Sequence, residues 1–379
     1  MEFKIKRITI ILLFIFIRQF GFSENPKIVK CPNNPIHGNL HLKLKKDLIL
    51  GEETEGPYFF ASVNGIEVSD KYIYVLDTKM VKVKIYDLKG KFVRDIGKKG
   101  EGPGEFMIPS SFCLGANNNI YIYDMMRRRM TIFNSNGDYK RDFLMGEIFP
   151  RKFYVDEENY IYTTFEKFYP ENSNINMIFA KLNPEGKVER IFYKTFRLKL
   201  ISFKGKGRAG NLLYEHPYLT YLYFIRTPED NFVLMNSMKY EIILFLKKGG
   251  VLLKILKEEK GSKVTRKEKE IALSKERTGI PKELQKYATF SETRPFCSNL
   301  LSDEKGRIYV ERFKPVTEKG GGFNYDIFNT RGEYLYKLSL PFKINLLKNG
   351  YIYTVSINEE TGEIKIIRYQ IENWNKIKF

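Results

Sequence analysis

The chain has 379 residues, 43% hydrophobic and 29% charged, so it can bury a large core and is too apolar for a disordered protein. Its 30 Phe and 25 Tyr residues favour β-strands. The three cysteines form no close pair, which excludes a disulfide scaffold and a zinc ribbon. The formal net charge of +19 favours polyanionic partners at low salt, although a Lys- and Asn-rich composition of genomic origin explains the same excess.

Residues 1–23 have the pattern of an export signal. Three basic residues precede an apolar run at 8–17, and small residues near Ser23 suit cleavage. The apolar run is too short to span a bilayer unaided. We therefore predict an exported mature protein, periplasmic or extracellular, that comprises residues 24–379 as one domain and has no membrane span. A signal anchor is the alternative.

An internal repeat dominates the mature chain. Residues 51–97 match residues 97–143 in their glycines, aromatic residues and aspartates at a nearly constant offset. Each unit contains four short runs of alternating apolar residues. In the first unit these predicted strands lie at 62–68, 72–76, 81–87 and 92–96. A glycine-containing turn joins the last two, so each unit is predicted to be a four-stranded antiparallel meander of the size of a propeller blade.

The turn and the second strand of this unit occur six times in all along the chain. The sixth unit ends after its third strand, at 364–371, and therefore lacks a fourth. Residues 40–50 alternate in polarity and are predicted to supply that missing strand, because an open ring would leave an exposed edge. The predicted fold is all-β, a six-bladed β-propeller closed by an N-terminal strand.

Two segments interrupt the regular spacing. Residues 193–216 are basic and glycine-rich, which predicts a flexible loop. Residues 257–293 predict a short helical insertion between blades 4 and 5. Thr265 and Glu268 have the spacing of a capping box, and Pro281 is suited to begin a second helix.

Blades 1 and 2 share a family-specific pattern. The sequence is Gly-Glu-Gly-Pro-Gly-Glu-Phe at 100–106, Ile-Tyr-Ile-Tyr-Asp at 120–124 and Ile-Tyr-Val-Leu-Asp at 73–77. In these motifs the chain resembles the NHL-repeat family of six-bladed β-propellers, particularly its exported bacterial members. The other four units replace the aspartate with Phe165, Asn236, Arg312 and Ser356. The resemblance implies the fold, whereas such propellers serve as enzymes, ligand binders or scaffolds.

The ends of second strands and the connections between blades are predicted to meet at one face of the ring, where propellers commonly bind ligands. The predicted ligand-binding residues there are Glu101, Glu105, Arg127, Arg128, Arg312 and Lys314. Arginine binds carboxylate, sulfate or phosphate with paired hydrogen bonds. The mixture leans basic, so we predict an anionic partner.

Other side chains suited to chemistry receive structural interpretations. Asp77 and Asp124 occupy equivalent places and are predicted to cap turns, with Ca²⁺ binding or acid–base catalysis as the alternative. The remaining candidates are His37, His41, His216, Cys113 and Cys297. We predict that the histidines lie at the surface and that the two cysteines are buried on the innermost strands of blades 2 and 5. No metal or cofactor is predicted.

These observations predict a monomeric, non-enzymatic propeller that binds a protein, an anionic glycan or a small anionic ligand on one face. Binding of nucleic acid conflicts with the export signal. The alternative function is that of a propeller hydrolase or lyase, either lactonase-like or amidating-lyase-like, with an active site at the mouth of the channel.

Overall fold

Six sheets of four antiparallel strands form the blades of a closed ring in the computed structural model. The structure describes residues 26–205, 208–212, 215–274, 285, 288–318 and 320–379, so the predicted signal at 1–23 lies outside the described residues. The predicted fold class is confirmed. None of the described helices is both long enough and apolar enough to cross a membrane.

The first three blades follow one another along the chain, each from its innermost to its outermost strand. Blade 1 consists of Val63–Val68, Tyr72–Asp77, Lys82–Asp87 and Phe92–Ile96. Blade 2 consists of Pro109–Leu114, Ile120–Asp124, Arg129–Phe133 and Tyr139–Leu144. Blade 3 consists of Phe153–Val155, Ile161–Tyr169, Asn174–Leu182 and Val188–Lys199.

The last three blades each receive a strand from the N-terminal segment. Blade 4 consists of Leu222–Arg226, Phe232–Asn236, Glu241–Phe245 and Val251–Lys257. Blade 5 consists of Cys297–Ser302, Ile308–Arg312, Phe323–Phe328 and Tyr334–Leu340. Blade 6 consists of Leu346–Lys348, Tyr351–Ile357, Ile364–Ile371 and, from the N-terminal segment, Leu44–Leu50.

Burial explains the strand patterns. Second strands are covered on both faces by neighbouring blades, and the second strand of blade 1 is buried from Ile73 to Asp77. The fourth strand of that blade, at the rim, instead alternates between half-buried and exposed residues. Gly90 and Gly137 occupy the turns before the fourth strands with φ of +88° and +91°, a region that glycine adopts without steric cost.

The N-terminal segment runs along the outside of half the ring. Lys27–Cys31 pairs in parallel with the fourth strand of blade 4, and Asn39–Leu40 pairs in parallel with that of blade 5. Leu44–Leu50 then pairs antiparallel with Ile364–Ile371. The predicted closure is confirmed, but the closing strand begins at Leu44 rather than at residue 40, because Leu40 already pairs with the rim of blade 5.

Arginines on the rim strands of blades 1 to 3 join each blade to the next. Each donates a hydrogen bond to a carbonyl oxygen in the turn before the next blade's fourth strand. The pairs are Arg94 with Ser135 (2.7 Å), Arg141 with Pro184 (3.1 Å) and Arg190 with Lys248. Between blades 4 and 5 the N-terminal segment takes over this role, since the Cys31 thiol donates to the carbonyl oxygen of Gly332 at 3.1 Å.

The two predicted insertions differ in outcome. The loop prediction for residues 193–216 is wrong, because Val188–Lys199 is a rim strand and Ile201–Gly205 pairs with Arg208–Leu212 as a separate hairpin. The alternating pattern of this fourth strand continues past the position at which the fourth strands of other blades end. Between blades 4 and 5, the helix Arg266–Ala272 carries the predicted capping box. The predicted second helix from Pro281 lies outside the described residues.

Candidate functional site

The connections from second to third strands and from blade to blade emerge on one face of the ring, here called the loop face. The opposite face, here called the turn face, carries the tight turns within the blades and the C-terminal residues 372–379, whose Trp374 donates to Glu304 at 3.0 Å. In the described part of the chain, the longest additions to the blades lie on the loop face between blades 3 and 5: the long hairpin of blade 3 and the described residues of the connections 200–221 and 258–296. Long connections on a rigid scaffold are common places for binding, so this face is the candidate site.

Asp77 and Asp124 shape the loop face of blades 1 and 2. Both side chains are almost completely buried. Asp124 accepts hydrogen bonds from the backbone N–H groups of Met107 (2.6 Å), Ile108 (3.2 Å), Met126 (3.0 Å) and Arg127 (3.2 Å). Asp77 does the same for Ala61, Ser62 and Met80. Their predicted structural role is confirmed, and both carboxylates tie the loop before their blade to their own hairpin.

Two of the predicted ligand-binding residues of blade 2 hold its entry loop. The Glu105 carboxylate accepts from the backbone N–H of Gly102 at 2.8 Å and pairs with Lys98 at 3.1 Å, and these contacts lower the pKa of Glu105. One nitrogen of Arg127 donates to the carbonyl oxygens of Glu105 (3.1 Å) and Gly102 (3.5 Å). The structure therefore brings Glu105 and Arg127 together, and backbone carbonyl oxygens bind the Arg127 guanidinium.

The other two predicted residues of blade 2 are exposed. The Arg128 guanidinium lies 5.3 Å from the centre of the Phe149 ring, which belongs to the connection into blade 3. Among the described residues, no acidic side chain forms an ion pair with Arg128. Of the two lysines just before Glu101, Lys98 pairs with Glu105, and Lys99 pairs with no described acidic side chain. Arg128 thus presents an unbalanced positive charge over an aromatic ring.

In blade 5, Arg312 belongs to an ionic cluster between blades 4 and 5. Its guanidinium pairs with Glu259 and, at 3.3 Å, with Asp326, and it lies 5.0 Å from the Tyr240 ring centre. The ammonium of Lys257 lies 3.0 Å from both carboxylates. Two cations and two anions balance one another, so Arg312 carries no spare charge.

Hydrogen bonds keep this cluster ionised. Burial raises the pKa of Asp326, but Lys257, the hydroxyls of Tyr240 and Tyr334, and Arg312 outweigh burial and lower it overall. Burial and the Asp326 charge raise the pKa of Tyr240 well above its usual range. The cluster therefore serves as a fixed link between the two blades.

Lys314, the last predicted residue, is half-buried and donates to the carbonyl oxygens of Gly320 and Gly321. Its ring contact is with Phe323, at 5.4 Å. Blades 2 and 5 stand three places apart in a ring of six, on opposite sides of the channel. The structure therefore does not bring the blade 2 and blade 5 residues into one site.

Sequence reasoning missed a cluster of arginines and glutamates on the loop face of blade 3. Glu166 and Glu215 each pair with both Arg151 (3.0 and 2.7 Å) and Arg197 (2.8 and 2.7 Å). The Arg197 side chain is fully buried and lies 4.4 Å from the Tyr221 ring centre. The sequence feature that could have indicated this cluster is the unusual length of the alternating apolar and polar runs around this hairpin.

The helical insertion is anchored by Glu268, which is fully buried. Its carboxylate accepts from the backbone N–H of Thr265 (2.8 Å), from the Tyr218 hydroxyl (2.8 Å) and from Arg294 (3.0 Å). Burial raises the pKa of Glu268, yet these hydrogen bonds dominate and lower it to about 2. The insertion is thereby fixed against the connection into blade 4.

The prediction that all three histidines lie at the surface is wrong for His216, because the insertion covers it. His37 and His41 are exposed, as predicted. Nδ1 of His216 accepts the backbone N–H of Tyr218 at 3.2 Å, so Nε2 carries the proton and donates to the carbonyl oxygen of Thr289 at 2.9 Å. Burial lowers the pKa of this imidazole.

Cys113 and Cys297 are buried on the innermost strands of blades 2 and 5, as predicted.

Two glutamates near the channel lack a full set of partners. Glu67, on the innermost strand of blade 1, is half-buried, and burial raises the pKa of its carboxyl to about 7 against the opposing charges of Lys152 and Lys348. Glu311 accepts from the Ser298 hydroxyl at 2.7 Å, while its other oxygen is buried without a hydrogen-bond partner among the described residues. Within the same residues, no three His, Cys, Asp or Glu side chains are grouped as metal ligands would be.

Comparisons with known proteins agree with the fold. A model of the domain of unknown function DUF4934 matches residues 53–225. A crystal structure of a "Putative exported protein" from Bacteroides fragilis is 11% identical and has a TM-score of 0.54, covering 92% of this chain and 100% of its own. No curated protein matches the sequence.

Two further solved structures have lower scores. A DUF4221 member from Bacteroides vulgatus is 12% identical, with a TM-score of 0.49 and coverage of 87% of this chain and 97% of its own. Virginiamycin B lyase from Staphylococcus aureus is 12% identical, with a TM-score of 0.42 and coverage of 87% and 99%. The match to the Bacteroides fragilis structure supports the propeller fold, and the NHL resemblance stays a prediction.

Proposed function

We propose that this protein is an exported propeller that binds an anionic ligand or partner, such as an acidic glycan, on its loop face without transforming it. The observation that carries the proposal is the unbalanced charge of Arg128, exposed on the loop face beside Phe149. A free guanidinium offers several N–H donors in one plane, which suits carboxylate or sulfate. Residues 1–23 contribute +3 of the net charge of +19 (four basic residues less Glu2), and the remaining excess of about +16 adds a long-range attraction for anions.

The other predicted ligand-binding residues fall into two groups, which differ in their contacts within the protein. Arg127, Glu105 and Arg312 are engaged by groups of the protein itself and shape the loops. Lys314 keeps a positive charge that no acidic group in the described chain balances, and Glu101 is exposed beside the blade 2 loop. We therefore expect Arg128 to contribute most to binding, and Lys314 to belong to a separate part of the face.

The test measures retention of the protein on an array of acidic glycans at low salt, followed by titration with the best glycan. Arg128→Gln removes the charge and should weaken binding about two- to fivefold, because an exposed ion pair contributes up to about 1 kcal/mol. Lys89→Gln is the matched control, because Lys89 is an exposed cation on the turn face of blade 1.

Equal affinities for the two variants would contradict the assignment of Arg128. Binding that does not weaken as salt rises would contradict a charge-based interaction. A glycan recovered in chemically altered form would instead show catalysis and contradict the non-enzymatic part of the proposal.

A further inference from the structure

The hairpin of blade 3 rises above the rest of the loop face and forms what we call the arm. Its second and third strands have nine residues each, whereas the second strand of blade 2 has five. At about 3.3 Å per residue, the arm extends about 13 Å further than its neighbour. The strands remain paired to the end, since Tyr169 is opposite Asn174.

Strand register assigns a set of side chains to one face of the arm. Lys167 is opposite Asn176, and Asn176 is opposite Phe196 on the fourth strand. Directly opposite residues share a face of the sheet, as do residues two apart on one strand. This face, which we call the arm face, carries Lys167, Tyr169, Asn174, Asn176, Lys194, Phe196 and Lys199.

The arm face combines positive charge with aromatic rings. The ammonium groups of Lys167 and Lys194 lie 5.6 and 3.9 Å from the centre of the Tyr169 ring. Phe196 is 52% exposed. None of the three lysines of the arm face forms an ion pair with any acidic side chain that the structure describes. The charge of this face is therefore available to a partner.

The base of the arm face packs on blade 2. Phe165 and Ile178, which continue the arm face downwards, share a buried cluster with Met145 and Ile148 from the connection between the blades. The next residue in that connection is Phe149, over which Arg128 lies. The connection therefore lies beside both the base of the arm face and Arg128, and we call the arm face together with Arg128 the basic corner.

The basic corner has a rigid support and few acidic residues. The opposite side of the arm is held by the two arginines that bridge Glu166 and Glu215, and by a small core of Ile175, Leu198 and Leu219. Glu147, in the connection, and Glu171, at the tip of the hairpin, are exposed acidic residues of these two segments. The exposed cations Arg128, Lys167, Lys194 and Lys199 outnumber them.

We propose that the basic corner binds an extended acidic polysaccharide, with its chain running from Arg128 along the arm face. The inference rests on the proposed function and identifies the ligand class and its path. Lysines and Arg128 pair with carboxylate groups, the amides of Asn174 and Asn176 match sugar hydroxyls, and Phe196 packs on the apolar face of a sugar ring. A site for a compact polyanion would need only positive charge. The amides of Asn174 and Asn176 and the exposed Phe196 ring, which lie among the lysines, instead favour a chain that carries many hydroxyl groups.

The experiment titrates the whole mature protein with oligogalacturonates of increasing length and with their methyl esters, which lack the charge. Affinity should rise with length until the oligomer spans the corner, and the esters should bind at least tenfold more weakly. Lys167→Gln with Lys194→Gln should weaken the long oligomer about tenfold, corresponding to two exposed ion pairs, and leave the shortest binding oligomer nearly unchanged. Lys89→Gln with Lys91→Gln, on the turn face, removes the same charge and should change the affinity less than twofold.

The outcomes separate the inference from the proposed function. If Arg128→Gln weakens binding but the double arm variant behaves like its control, the arm is not part of the site and the proposed function stands. If no acidic glycan binds, both fail. Equal affinity for polyglutamate or single-stranded DNA of the same charge would overturn the polysaccharide assignment. Thermal unfolding of each variant verifies that these exposed substitutions leave the fold intact.

Discussion

Replacing Asp124 with alanine tests whether one buried carboxylate organises the loop face of blade 2. The side chain accepts four backbone hydrogen bonds, from residues before the blade and from its hairpin. Each such bond is worth about 1 kcal/mol after exchange with water, so Asp124→Ala should lower the free energy of unfolding by about 4 kcal/mol. For a chain of this size that corresponds to a fall in Tm of about 5 °C. Oδ1 accepts three of the four bonds, so Asp124→Asn with its amide oxygen in that place keeps those three and should lose less stability than Asp124→Ala.

The assay is thermal unfolding followed by circular dichroism, with limited proteolysis of the hairpin beyond Asp124. Asp138→Asn is the control, since Asp138 is exposed in the same blade and its carboxylate bonds only to the Asn134 amide. The control should stay within about 0.5 kcal/mol of the parent. An Asp124→Ala protein as stable as the control, with an equally resistant hairpin, would refute the capping role.

Three further predictions concern His216, the N-terminal segment and export. Burial lowers the pKa of His216 in the folded protein, so the unfolded chain binds a proton at this imidazole more readily. Stability should therefore fall as the pH drops below the unfolded pKa of about 6.5. His216→Gln should flatten that part of a curve of Tm against pH, and parallel curves for the variant and the parent would contradict the reasoning. Deleting residues 24–43 should leave a closed, monomeric ring, whereas deleting residues 24–50 should expose the edge of blade 6 and cause aggregation, which size-exclusion chromatography with light scattering distinguishes. Mass spectrometry of the native protein should find a new N-terminus near Glu24, and an intact Met1 terminus on a cytoplasmic protein would contradict export.

The repeat allowed most of the fold to be predicted because each blade is built from local signals. Alternating apolar residues, a polar turn before the second strand and a glycine before the fourth all lie within one unit of sequence. The repeat also places Arg94 and Arg141 at equivalent positions 47 residues apart, but the role of these arginines appears only in three dimensions. Each of these arginines bonds to the following blade, more than 40 residues away.

The candidate site was harder to predict because its charges find their partners across the chain. Arg312 resembled a free cation in sequence, yet it pairs with Glu259, 53 residues away and in the preceding connection. Arg127 was similarly engaged by carbonyl groups of the loop entering its own blade. A motif reports which side chains are present, whereas the charge left for a ligand depends on which neighbours the fold supplies.

The sequence by itself determined six antiparallel blades, ring closure by an N-terminal strand, the capping aspartates and the capping box of Thr265, because neighbouring residues encode these features. Only the tertiary structure decided that Arg128 is free, that the N-terminal segment also edges blades 4 and 5, and that the arm stands beside blade 2. The difference has a physical cause. Hydrogen-bonded strands and caps form between residues that are close in sequence, whereas exposure and charge balance depend on packing between blades that are distant along the chain.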